Sequence, residues 1–337
     1  MKRPTIVDIA RRVGVSKAAV SYALNGRGGV SSQTRQRILD VAAQMGWRAS
    51  SAARALSNDR TASIGFVFAR PPELLRIEPF FMRLLVGMEQ ALSECGVSLQ
   101  LALAGDSETE LATYRRWWAE RRVDEMLLTD LRVSDPRLPL LRELGVPAVL
   151  FGAPGSVPGI PVLWGDERSD VRQIVDHLAA AGHRHIGHVR GAWNLQHTRR
   201  RSTAVREAVR ERFGTAVAQA DGGYTEQGGL DATRKLLEAD PCPTAVVYDN
   251  DVMAVAAVAH SAELGKRVPD DMAIVAWDDS MLCRVVAPAV TAFEHDVVAD
   301  AAMAAHQLLE LIETGCADDV EMCRRQLVVR ASSGSTF

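Results

Sequence analysis

TIVDIARRVGVSKAAVSYALNGR, residues 5–27, is the stretch from which the fold of this chain is read. Thr5 followed by Asp8 predicts a capping box: the hydroxyl caps a helix and the carboxylate sits in its first turn. Ile6, Ile9, Ala10 and Val13 then recur at i, i+3, i+4 and i+7, one face of that helix. Gly14 ends it, being free to take positive φ. Two residues later Ser16 caps a second helix that turns Val20, Ala23 and Leu24 inward. A turn of about three residues between two short helices is helix-turn-helix geometry.

Beyond that stretch, Asn25 and Gly26 break the second helix. Ser31 or Ser32 opens a third, with Ile38, Val41, Ala42 and Met45 on one face and Gly46 closing it. The second helix leaves Lys17, Ala18, Ser21 and Tyr22 outward. In the DNA-binding version of the motif this helix enters the major groove. Lys17 and Tyr22 are then the candidates for base reading, and Ser16, Arg27, Ser31 and Arg35 suit phosphates. Thr5 and Asn25 complete the expected DNA-contacting set. On pattern alone, a generic three-helix bundle with a solvated face is the alternative.

Charge separates this head from the rest. Residues 1–60 hold eleven Lys or Arg against Asp8, Asp40 and Asp59, in a chain whose net charge is −3. A basic head on an acidic body predicts that only the head meets a polyanion. The five cysteines form no C-x-x-C pair, which indicates neither a zinc site nor a disulfide framework. No apolar run is long enough to span a membrane, and the basic N-terminus lacks an apolar segment behind it. A cytoplasmic location follows as the expectation.

From residue 64 onward, short apolar runs alternate with amphipathic stretches. Strands are expected at 64–68, 99–103, 126–129, 148–151, 162–164, 186–189, 245–248 and 273–277, and helices at 81–94, 110–121, 170–181, 203–212 and 252–264. Such alternation implies parallel sheets covered by helices, and this many units implies two α/β lobes. Ligands of open α/β sheets bind beyond the carboxyl ends of strands. The residues to inspect are therefore Asp130 (or Thr129), Asn250 with Asp251, and Trp277 with Asp278 and Asp279, the two outer aspartates being expected as helix caps. His183, His185 and His188 suggest a metal at first sight, but strand alternation splits them and no carboxylate or cysteine joins them, so no metal and no cofactor is expected. Neither a P-loop, a nucleophile elbow nor a dinucleotide fingerprint is present, and nothing argues for an enzyme.

The run 5–27, with Val30-Ser31, Thr34-Arg35 and Gly46-Trp47 after it, resembles the head of the lactose-repressor/galactose-repressor (LacI/GalR) family, and the resemblance extends over the whole chain. It implies an all-α helix-turn-helix head (1–48), a hinge helix and linker (49–60), and a two-lobed, type I periplasmic-binding-protein-like α/β body (61–337). The implied lobes are about 61–161 with 291–320, and 162–290 with 321–337, joined by three crossovers. By the same resemblance Ala53, Arg54 and Leu56 lie in the hinge helix, with Leu56 wedged between bases in the minor groove. Arg199, Asn250 and Asp278 match effector-contacting positions, and Tyr224 an aromatic beside the pocket. Phe80 is expected to flank the cleft, and Trp193, in the loop before Arg199, to be either a stacking surface or an ordinary half-buried loop residue. This chemistry suits a sugar-like or nucleoside-like effector. Where several sugar-binding relatives carry an acid after residues 148–151, this chain has Gly152. The family appends a heptad-rich helix when it tetramerises; none is found here, so a homodimer on an inverted-repeat operator is expected, with repression as the default.

Overall fold

The structure, a computed structural model, describes residues 4–26, 28–47, 60–70, 79–153 and 155–334. Arg27, Ala53, Arg54 and Leu56, and with them most of the expected hinge, lie outside the described residues. The chain divides into two compact units, Met1–Ala62 and Ser63–Phe337.

Among the described residues the first unit is a three-helix head: α1 (Ile6–Val13), α2 (Lys17–Leu24) and α3 (Ser32–Gln44). Its start is the expected capping box, with Thr5 N donating to Asp8 at 2.9 Å and Asp8 N to the Thr5 hydroxyl at 3.4 Å. Ser16 caps α2 through Ala19 N (3.1 Å) and Ser31 caps α3 through Thr34 N (3.2 Å). Ile9, Ala10, Val13, Val20, Ala23, Ile38 and Ala42 are buried together. Three short helices that would each be marginal alone are thus held by one shared core.

The body carries two six-stranded sheets. The first is parallel throughout: β1 (Ser63–Phe68), β2 (Ser98–Leu103), β3 (Glu125–Leu128), β4 (Ala148–Ala153), β5 (Val162–Trp164) and β11 (Val320–Glu321), in the spatial order β11-β5-β4-β3-β1-β2. The second consists of β6 (Ile186–Arg190), β7 (Ala218–Asp221), β8 (Ala245–Tyr248), β9 (Ala273–Ala276), β10 (Thr291–Glu294) and β12 (Gln326–Val328), in the order β12-β10-β9-β8-β6-β7. Among the described residues only β12 runs antiparallel to its neighbour. Helices cover both faces of each sheet: α4 (Pro79–Glu94), α5 (Ser107–Ala119), α6 (Arg137–Leu144) and α12 (Val297–Thr314) in the first lobe, and α7 (Glu167–Ala180), α8 (Gln196–Phe213), α9 (Glu226–Leu237), α10 (Asp251–Ala259) and α11 (Met281–Val285) in the second. The helices α4 and α12 cross so closely that a Cβ on Gly87 would lie 2.2 Å from the Val298 carbonyl oxygen.

The lobe boundaries differ from expectation by one strand at two of the three crossovers. Val162–Trp164 belongs to the first sheet, because it continues parallel pairing with β4 (Leu150 opposite Val162) and buries Leu163 in the first core. Thr291–Glu294 belongs to the second sheet, between β9 and β12, with Phe293 buried beside Trp277. The chain therefore changes lobe after each of these strands, at 165–166 and at 295–296, and a third time between β11 and β12. Several elements carried no clear sequence signal: β7 (AQAD) is a partly exposed edge strand, and the helices α6, α9 and α12 were not singled out.

Candidate functional site

On the head, the outward face of α2 is as the spacing predicts. Lys17, Ala18 and Asn25 are exposed, Ser21 is half-buried and Tyr22 is 43% exposed. Thr5, Ser16 and Ser31 stand exposed at helix starts, where their hydroxyls serve as caps, and Arg35 is partly buried. Tyr22 keeps this exposure although its ring passes close to Gly29, where a Cβ would lie 3.3 Å from Cδ2.

In the body, the carboxyl ends of strands from both sheets face one cleft. The first-lobe wall is largely apolar: Phe80 lies edge-on to Phe151 (6.0 Å) and to Phe81 (5.3 Å). Beside them Asp130 accepts two bonds from Arg70, at 2.7 and 2.9 Å. Burial works against the Asp130 charge, but Arg70 outweighs it and holds the carboxyl at about 2. The Arg70 guanidinium lies 5.2 Å from the Phe81 ring and 5.0 Å from the Tyr224 ring of the other lobe.

The second-lobe wall is polar. Tyr224 lies flat against Gly191, where a Cβ would come within 1.9 Å of the ring. Its hydroxyl is held by His197 (2.7 Å) and Thr198 (3.0 Å). Burial, assisted by Arg201, lowers the His197 ring to about 4, so it is neutral near pH 7. Arg201 donates to the Asp249 carbonyl at 3.0 Å, contacts Glu167 at 3.4 Å and stacks 4.0 Å over Trp277. Burial opposes its charge too, yet Asp249 and Glu167 raise its pKa above the usual arginine value. Asp249, buried, takes His188 at 2.9 Å and Gly191 N at 2.8 Å. The carboxylate that meets His188 thus comes from another strand end, which strand alternation could not reveal. Among the described residues no cluster of three or more His, Cys, Asp or Glu could hold a metal ion.

Five of the expected effector residues line this cleft: Phe80, Asp130, Tyr224, Asn250 and Asp278. Three do not, and the helix period explains the first. At 100° per residue, His197 and Arg201 (i, i+4) share the cleft face of α8, while Arg199 points the other way. Arg199 is exposed and donates to the Trp193 carbonyl at 3.0 Å, and its guanidinium stacks on the Trp193 ring outside the cleft. Trp193 is 41% exposed there. Trp277 is fully buried behind the wall, where it supports Arg201 and Arg325. The cap expectations also shift by one residue. Asn250 caps α10 through Met253 N (3.0 Å) and Ser280 caps α11 through Leu282 N (3.1 Å). Asp279 is instead tied to Arg330 at 2.6 Å and Arg284 at 3.1 Å. Sequence reasoning passed over Arg70, Glu167, His197, Asp249 and His295, and within the run 199–201, a solvated or ligand-facing helix start, it settled on Arg199; only the i, i+4 pair 197/201 carried a usable signal.

Asp251 and Asp278 are the acids of this wall without a basic partner among the described residues. Burial, with Asp278 beside it, pushes Asp251 up to about 6. A carboxyl whose folded pKa is raised stabilises the fold below its unfolded pKa, and that stability is lost as pH rises through the folded value. We expect Asp251→Asn to match wild type near pH 4 and to exceed it above pH 7, by up to about 3 kcal/mol. Thermal midpoints from pH 4 to 8 check this; a constant offset across the range would rule it out.

Backbone also bridges the two lobes. Val133 N donates to Asn194 O (2.9 Å) and Gln196 N to Leu131 O (2.8 Å), while the Gln196 amide reaches Arg132 O (3.1 Å). This antiparallel bridge clasps the β3–α6 loop of one lobe to the β6–α8 loop of the other.

Comparison with known proteins agrees with both units. Residues 5–50 match the model of bacterial regulatory proteins of the lacI family, and residues 175–333 that of the periplasmic binding protein-like domain. The HTH-type transcriptional regulator CelR of Thermobifida fusca is 33% identical over 296 residues, 86% of each chain. A structure of a CelR–cellobiose complex superposes with TM-score 0.73 at 29% identity, covering 98% of this chain and 100% of that one. The lac repressor dimer bound to operator superposes with TM-score 0.83 at 22% identity over 98% and 99% of the two chains, a likeness of fold. The chain belongs to the LacI family: it is a DNA-binding transcriptional regulator with an effector-binding domain.

Proposed function

We propose that the protein is a cytoplasmic, homodimeric repressor that reads an inverted-repeat operator, and that its cleft senses a polyhydroxylated, sugar-like effector. The observation that carries the effector class is the pairing of walls: Phe80 and Phe151 on one side, Asp278 and the anchored Arg201 on the other. Apolar faces stack on the C–H face of a sugar ring, while carboxylate and guanidinium take its hydroxyls. The CelR–cellobiose complex, a relative of the same length, supports this class. We assign the chain no catalytic role.

Base reading is assigned to Lys17, Ala18, Ser21 and Tyr22, and backbone contact to Thr5, Ser16, Asn25, Arg27, Ser31 and Arg35. Minor-groove contact is assigned to Ala53, Arg54 and Leu56. Dimerisation is supported by apolar side chains left in solvent on the first lobe: Met82 (65%) and Leu103 (59%), with Val86 and Leu101 beside them on α4 and β2. No helix among the described residues is long and apolar enough to cross a membrane.

The test compares the full chain with a fragment beginning at Thr61. Both should sediment as dimers and bind cellobiose, and only the full chain should shift operator DNA at one fixed salt concentration. A monomeric fragment would move the dimer interface off the body. A full chain whose operator affinity ignores cellobiose and other sugars would refute the sugar reading.

A further inference from the structure

A second groove opens where the first crossover, residues 164–168, runs past the first turns of α8, and it encloses about 900 Å³. Arg199 and Thr203 stand one turn apart on α8 (i, i+4), with Arg200 beside them, and Arg168 comes from the first turn of α7. Half-buried Trp164 adds an aromatic surface. Of these five residues only Arg200 also lines the effector cleft. The two carboxylates of the groove are already engaged. Asp166 caps α7 through Ser169 N (3.1 Å), and Glu167 is held by Arg200 (2.9 Å) and Arg201 (3.4 Å).

The three guanidinium groups keep donors in hand. Arg200 gives Nε to Glu167 and Nη2 to the Gly152 carbonyl (3.4 Å), but its Nη1 is buried without a hydrogen-bond partner among the described residues. The Arg199 side chain donates only through Nε, to the Trp193 carbonyl. Arg168 meets Glu207 at 3.1 Å in an exposed pair, which contributes little and gives way readily. The Thr203 hydroxyl accepts from Arg206 at 3.4 Å and keeps its own proton to give. A buried N–H without an acceptor is costly, and neighbouring cations repel; one oxyanion relieves both. Planar guanidinium forks match phosphate oxygens in particular. We propose that this groove is a second ligand site, separate from the effector cleft, and that it takes a small phosphate-bearing anion. Arg168, Arg199, Arg200 and the Thr203 hydroxyl hold its oxygens. Trp164 offers a face to the sugar of a phosphate ester, which free phosphate lacks. The site stands whatever occupies the cleft.

The test uses the full-length protein, titrated calorimetrically at constant ionic strength with glucose 6-phosphate and with inorganic phosphate. Each titration is run with and without saturating cellobiose, and thermal midpoints are measured in parallel. The variants are Arg168→Ala and Arg199→Ala, since neither residue lines the cleft. The wild type is expected to bind one phosphate-bearing anion per protomer in both conditions. Each variant should lose roughly tenfold or more of that affinity, as expected for a charge-assisted bond, and hold cellobiose affinity within about twofold of wild type. Tighter binding of glucose 6-phosphate than of inorganic phosphate makes the ester the ligand, and equal affinities make it the free ion. Absence of binding by either anion at millimolar concentration overturns the proposal, as does wild-type affinity in both variants. Displacement of the ester by cellobiose overturns it too, because the ester would then lie in the cleft. Arg199→Lys keeps the cation and should regain part of the lost affinity. A loss as large as that of Arg199→Ala, with a lowered thermal midpoint, would mark a structural role and overturn the site.

Discussion

Arg201→Ala is expected to abolish measurable effector binding, while Arg199→Ala, two residues earlier, leaves it within about twofold. The contrast follows from placement. Arg201 is 8% exposed, set between Glu167 and Asp249 and stacked on Trp277. Its removal strips the cleft of a fixed donor and also leaves two buried carboxylates underpaired, a defect that costs roughly 3–5 kcal/mol. Asp249, now held near 2 by His188 and Arg201 against burial, would keep only the histidine and Gly191 N. Effector affinity should fall by more than about a hundredfold, or roughly 3 kcal/mol, as expected when a charged partner is left unmet. Arg199, exposed and bonded only to a loop carbonyl, has no such role. Arg201→Lys separates charge from geometry: it keeps the cation but loses the planar fork, and should recover stability more than affinity. Calorimetric titration and thermal midpoints of the three variants check this. Equal losses from Arg199→Ala and Arg201→Ala would show that the cleft face of α8 has been misread.

What could be read from the sequence was whatever depends on near neighbours. The head was legible because Thr5, Ser16 and Ser31 mark helix starts, and Ile9, Val13, Val20 and Ile38 keep one helical face. The central strands were legible because each is a short apolar run, fully buried, as in Ala245–Tyr248. Asp278 was legible as an acid directly after such a run. The choice among Arg199, Arg200 and Arg201 was not, because it turns on the rotational phase of α8, and that is set by a start at Gln196 without a side-chain cap. Arg70 and His295 had no local signal at all: one meets Asp130 sixty residues away, and the other owes its place to a crossover. The strand-by-strand lobe assignment failed for a related reason. Val162–Trp164 and Thr291–Glu294 read as strands, but only long-range pairing decides which sheet takes them.

A second large effect is expected far from any ligand, at Arg137. Its guanidinium is 2% exposed and donates to Asp135 (2.7 and 3.0 Å), to Glu110 (3.2 Å) and to the Asp130 carbonyl (3.0 Å). Glu110, fully buried, also meets Arg132 at 2.6 Å and the Tyr114 hydroxyl at 3.2 Å, and Asp135 accepts Arg132 N at 2.9 Å. This network holds the loop from Asp130 to Asp135, in which Asp130 (φ 52) and Ser134 (φ 55) adopt left-handed backbone that needs outside support. The loop supplies both Asp130 to the cleft and the 131–133 side of the clasp. Arg137→Met keeps much of the side-chain volume but leaves two buried carboxylates facing one another. The expected loss at pH 7.5 is about 3–5 kcal/mol. The pH dependence has a definite sign. In the wild type burial would raise Asp135, but Arg137 overrides it and lowers its pKa, so this stability is present above the unfolded aspartate value and lost as pH falls through the folded one. Without the arginine, burial is left to raise the Asp135 carboxyl, and the variant regains stability as it takes up a proton. The gap between wild type and Arg137→Met should therefore narrow from pH 7.5 toward pH 4, and adding Glu110→Gln should recover part of it at pH 7.5. Urea unfolding at several pH values measures the gap. A difference below about 1 kcal/mol at pH 7.5 would mean that the loop is held by its backbone bridge to residues 194–196 rather than by the ion network beneath it.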